Sequence, residues 1–78
     1  MSMFRPINLN LEDVVKLVGN VRSEEFFYEE DAQMTVTRER LLECDLSDSD
    51  KDVLNNIPPN TILRVKNIDM GTFAIQLS

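Results

Sequence analysis

The sequence predicts a small α+β single domain: an antiparallel β-sheet of two β-hairpins packed with two short α-helices. Three observations predict it. Residues 11–18 carry apolar side chains at helical spacing behind an asparagine cap. Residues 48–56 repeat that signal behind a serine cap. Residues 61–67 and 72–77 alternate apolar and polar side chains around a turn containing glycine. The chain of 78 residues accommodates one domain, spanning 1–78.

Residues 1–9 read as an extended arm or short strand, because Pro6 biases Arg5 away from helix and Phe4, Ile7 and Leu9 can dock on the body. In 11–18, Asn10 is the N-cap, and Glu12 and Asp13 complement the dipole of the first turn. Leu11, Val14, Val15 and Val18 make the expected buried face, and Gly19-Asn20 the stop. Residues 25–30 read as a strand, since Phe26, Phe27 and Tyr28 are strong strand formers. A turn at 30–33 then leads to a second strand, 34–37.

Residues 38–46 fit two readings. Leu42, Cys44 and Leu46 alternate with Glu43 and Asp45, whereas Thr37 before Arg-Glu-Arg-Leu-Leu-Glu resembles a capped helical turn. The alternation continues the register of Met34 and Val36, which favours strand. In 48–56, Ser47 and Asp50 have capping-box spacing, Val53, Leu54 and Ile57 face inward, and Pro58-Pro59 ends the helix. In the terminal hairpin, Leu63 and Val65 point one way and Arg64 and Lys66 the other. Asp69-Met70-Gly71 forms its turn.

Composition narrows the chemistry. Histidine is absent and Cys44 is the only cysteine, so neither a Ser-His nor a Cys-His pair can form, nor an intrachain disulfide. Acidic neighbours raise a thiol pKa, which suits Cys44 to a buried structural role. Glycine occurs only at 19 and 71, too sparsely for a phosphate-cradling loop. Asp48, Asp50 and Asp52 match the first ligand positions of a calcium loop, but Val53 and Pro59 stand where that loop needs glycine and a bidentate glutamate. No catalytic residue, metal ligand or cofactor is therefore expected, and the domain is read as non-enzymatic. The absence of a signal-peptide apolar core, of a membrane-length apolar run and of paired cysteines leads to the expectation of a cytoplasmic protein. A domain this small buries only about 60–65% of its unfolded surface, which leaves homo-oligomerisation as a further source of stability.

The net charge of −6 is unevenly distributed. Segments 1–23 and 53–78 each carry +1, and segment 24–52 carries −8. An acidic surface repels phosphate backbones and anionic lipid and attracts basic partners. Direct nucleic-acid binding through Arg64, Lys66 and Phe73 would rest on a thin basic footprint and is not expected.

The run Glu24-Glu25-Phe26-Phe27-Tyr28-Glu29-Glu30-Asp31 is the candidate site. Three consecutive aromatics in a strand cannot share one face, so one is left against solvent among acids unless both faces are covered. Glu24, Glu25, Phe27, Tyr28, Glu29, Glu30 and Asp31 are accordingly the expected partner-binding residues, facing a protein with a basic surface. The leading expectation is a protein-binding inhibitor or adaptor. An alternative is an acidic nucleic-acid mimic whose carboxylates occupy the groove of a DNA- or RNA-binding protein. Another is a structural protein that self-associates through a strand edge. Small acidic domains of this sort are typical of phage-encoded host-takeover and anti-defence factors, an analogy of size and charge and not of motif.

Overall fold

A computed structural model of the chain describes residues 4–69 and 72–76. In chain order the elements are β1 (Phe4–Ile7), α1 (Leu11–Val18), α2 (Asn20–Tyr28), β2 (Gln33–Thr37), α3 (Arg38–Leu42), α4 (Asp48–Asn55), β3 (Ile62–Asp69) and β4 (Thr72–Gln76). The strands form one antiparallel sheet in the order β1-β4-β3-β2. The fold is α+β as expected, with four described helices where the sequence suggested two.

Strand alternation gives the sheet two unlike faces. Ile7, Val36, Leu63, Val65, Phe73 and Ile75 point to one side and form a single core with Val14 and Leu17 of α1, Phe26 of α2, Leu41 of α3 and Leu54 of α4. All four helices therefore lie on this side. The other side is an open face bearing Phe4, Ile62, Arg64 and Lys66, with the Lys66 ammonium 5.9 Å from the centre of the Phe4 ring. Pro6 is tolerated because β1 is an edge strand. The terminal hairpin forms as read, with Val65 opposite Ile75, and a bulge between Asn67 and Asp69 displaces its register. Met70, Gly71 and Leu77, assigned to its turn and second strand, lie outside the described residues.

Helix α1 begins with a complete capping box. The Asn10 side chain accepts from the Asp13 N–H at 2.8 Å, and the Asp13 carboxylate accepts from the Asn10 N–H at 3.4 Å. Asp13 also accepts from the Asp45 N–H at 3.2 Å, tying the chain after α3 to the start of α1. The buried face differs from the one expected: Val14 and Leu17 are buried, Val15 and Val18 half-buried, and Leu11 is exposed. Asp13, itself buried, lies on this inward side with Val14 and Leu17.

Two strand expectations are corrected. Segment 25–30 is not a strand: 20–28 form α2, and β2 pairs with β3 instead. Strand propensity of aromatic residues reflects packing on a pleated surface, so a site that packs them on a helix overrides it. Segment 38–46 is likewise helical at 38–42. The Thr37 hydroxyl caps it, accepting from the Arg40 N–H at 3.3 Å. The apolar alternation at Leu42, Cys44 and Leu46 arises in a turn, where the Cys44 N–H donates to the Leu41 carbonyl and the Leu46 N–H to that of Cys44, each at 3.0 Å. Helix α4 matches its expectation, with Ser47 accepting from the Asp50 N–H at 3.2 Å. Asp50 is buried in an ion pair with Arg5 of β1 at 3.3 Å, so this acid serves the fold.

Candidate functional site

The candidate site is built on α2 and the turn that follows it. Gly19 ends α1 with φ of 88° and ψ of 166°, and α2 starts at the next residue without a side-chain cap. Only glycine adopts that backbone region readily, so the abrupt joint between two helices depends on this residue.

Inside, α2 is fixed by aromatic packing and by one side chain of the sheet. Phe26 stacks on Phe73 with ring centres 5.5 Å apart and planes within 6°. Asn67, fully buried on β3, donates its amide to the carbonyls of Phe26 and Phe27 at 2.9 Å and of Glu29 at 3.1 Å. These are carbonyls that a helix C-terminus leaves without helical partners. The Asp31 N–H donates to the Asn67 carbonyl at 2.9 Å, and Asp31 takes a φ of 67° that closes the turn into β2.

Outside, α2 presents a stripe. Val21, Glu24, Glu25 and Tyr28 are spaced i, i+3, i+4, i+7 and therefore share one side of the helix. All four are exposed, Val21 at 94% and Tyr28 at 55% of their full surface. Glu29, Glu30 and Asp31 continue the acidic surface into the turn and are exposed as well. The structure thus brings the sequence-read residues into one neighbourhood, with one division of labour. Phe27 is half-buried, edge-on to Tyr28 at 5.1 Å and tilted on Phe73 at 5.7 Å. It is a packing residue that supports Tyr28 from below. The helical arrangement sorts the three aromatics into interior, boundary and surface, which a strand could not do.

The electrostatics of this end do not serve the helix. A helix C-terminus carries partial negative charge and favours cations, yet no basic residue occupies the last turn of α2, and Glu29, Glu30 and Asp31 follow it directly. Glu25 and Glu29 are also like charges one turn apart, each such arrangement costing a few tenths of a kcal/mol. Among the described residues the one ion pair to this group is Lys66 with the exposed Asp31, at 3.5 Å.

The Cys44 thiol is buried, donates to the Arg40 carbonyl at 3.8 Å, and is pushed up to about 11 by burial and then by the charge of Asp13. At neutral pH it is a protonated thiol. Among the described residues no cluster of three or more acids or cysteines is arranged to hold a metal ion, and no helix is long and apolar enough to cross a membrane.

Sequence reasoning missed Val21 and Asn67. Val21 becomes visible only with a helical register, where it falls in line with Glu24, Glu25 and Tyr28. Asn67 sits in the alternation as a polar residue on the inward face after Leu63 and Val65, a misfit that signals a buried hydrogen-bonding role. The chain matches no family model, no curated protein and no solved structure.

Proposed function

We propose that the domain is a non-enzymatic protein-binding module, an inhibitor or adaptor, that presents the outer side of α2 and the following turn to a basic protein surface. One observation carries this reading. Val21 and Tyr28 stand exposed on a helix stripe whose intervening positions are Glu24 and Glu25, and the stripe ends in three further carboxylates at the helix end least able to accommodate them. Stability does not account for that placement. Recognition does, because an exposed aromatic rimmed by charge is the composition of an interface anchor.

The test is affinity capture from native lysate with three baits: wild type, Tyr28→Ala, and Glu24→Lys. Both variants alter exposed side chains and leave the fold intact. A specific protein held by the wild type and lost from both variants is the expected result. A partner retained equally by all three baits removes this surface from consideration. The acidic nucleic-acid mimic is separated by competition: duplex DNA displaces a partner whose nucleic-acid groove is occupied, and binding then falls steeply with added salt.

A further inference from the structure

A second flank of α2, sharing Glu25 with the Tyr28 stripe, overhangs the β2 edge of the sheet. Arg22, Glu25, Phe26 and Glu29 are also spaced i, i+3, i+4, i+7, and they form one wall of a groove of about 500 Å³ whose other wall is β2 with Met34 and Thr35. Strand β2 is the last in the sheet order. The Asn67 N–H donates to the Ala32 carbonyl, and the Arg38 N–H donates to the Thr61 carbonyl. By antiparallel alternation, residues 32, 34, 36 and 38 bond towards β3, and the backbone groups of Gln33 and Thr35 point outward. The groove therefore combines outward-facing peptide groups, an apolar floor from Phe26 and Met34, and two carboxylates against a single arginine.

We propose that this groove binds an extended segment of a partner protein, which adds to β2 as a fifth strand. On the side that faces α2 the segment carries an apolar side chain between two basic ones, at positions i, i+2 and i+4, which share one face of a strand. Its backbone pairs with Gln33 and Thr35, the apolar side chain sits over Phe26 and Met34, and the basic ones lie against Glu25 and Glu29. Strand addition of this type takes affinity from main-chain hydrogen bonds and selectivity from the pockets beneath alternate side chains. Charge complementarity selects this occupant, because the α2 flank and the adjoining turn are acidic. The proposal rests on the reading of the domain as a protein-binding module and adds a second contact, which adjoins the Tyr28 stripe and shares Glu25 with it.

The probe is a blocked synthetic nonapeptide with lysine, valine and lysine at positions 3, 5 and 7 and threonine elsewhere, titrated into 15N-labelled protein with amide hydrogen exchange measured at saturation. Controls are the same peptide with glutamate in place of lysine and one N-methylated at the backbone positions meant to pair. Expected are slowed exchange at the Gln33 and Thr35 amides, binding weakened about tenfold or more by glutamate, and loss of binding on N-methylation. Thr35→Pro supplies the protein-side test. Its N–H points away from β3, so the substitution spares the ladder while blocking the edge, a position edge strands tolerate. If that variant does not fold, the N-methylated peptide answers the same question with unaltered protein.

Absence of binding at millimolar peptide overturns the proposal, as does a footprint on Val21 and Tyr28 without protection at Gln33 and Thr35. Concentration-dependent protection of those two amides without peptide also overturns it, because a second copy of the chain is then the occupant. Peptide binding at the edge that survives Tyr28→Ala supports the groove and keeps the two surfaces distinct. A captured partner that depends on Tyr28 but not on the edge sinks the groove alone.

Discussion

The side-chain amide of Asn67 donates to the Phe26 carbonyl at 2.9 Å across 41 residues of sequence, so strand β3 caps helix α2 from inside the core. One amide serves three carbonyls of the last helical turn and the residue after it. Replacing it by alanine takes this donor from the Phe26 and Phe27 carbonyls, while the Glu29 carbonyl keeps the Ala32 N–H at 3.2 Å. Asn67→Ala is expected to lower unfolding free energy by about 2–3 kcal/mol. Asn67→Asp is expected to cost more, because it keeps the shape and turns a donor against carbonyls into an acceptor. Urea denaturation with an unchanged m-value checks both.

Phe27 and Tyr28 are neighbours with different duties. Phe27 touches Phe73 in the core, and Tyr28 is more than half exposed. Phe27→Ala is expected to destabilise by about 1.5–3 kcal/mol, less than a fully buried phenylalanine. Tyr28→Ala should change stability by less than about 0.5 kcal/mol. Equal losses in urea melts would contradict the division between support and surface.

Gly19 has nothing within 4 Å of where a Cβ would stand, so any penalty for alanine comes from the backbone alone. At φ of 88° that penalty is expected to be about 1–3 kcal/mol for Gly19→Ala. D-alanine at the same position, introduced by chemical synthesis, favours positive φ and should retain wild-type stability. Thermal melts of the two chains decide between strain and contact.

Cys44 couples stability to alkaline pH. Its thiol is raised from 9.0 to about 11 in the folded protein, so between those values the unfolded chain loses the proton that the folded one keeps. Stability that is fully present below about pH 9 therefore declines as pH rises towards 11. Cys44→Ala should flatten that part of the profile. Melting temperature against pH for the two proteins is the measurement. In the native state the thiol should also resist an aromatic disulfide reagent at pH 8 and react fully in denaturant.

Local chemistry made several elements legible without coordinates. Asn10 and Asp13 close a capping box over three residues, Ser47 caps α4, and the alternation of Leu63 and Val65 with Arg64 and Lys66 defines a half-buried strand. Each signal involves side chains within one turn or one pleat of each other. The acids of 24–31 were legible for the same reason, since charge composition does not depend on the fold.

Tertiary structure decided the rest. Phe26, Phe27 and Tyr28 favour strand by propensities worth up to about 1 kcal/mol each, and stacking on Phe73 together with the hydrogen bonds from Asn67 outweighs them. Thr37 had both a strand and a helix open to it. Local pattern and the placement of charge by themselves determined that this is a small acidic α+β domain with its acids and aromatics concentrated in one segment. Only contacts between residues some 40 positions apart could set that segment as a helix, turn Phe26 inward and Tyr28 outward, and align Val21 with Glu24 and Glu25, because long-range packing energy is absent from any local window of sequence.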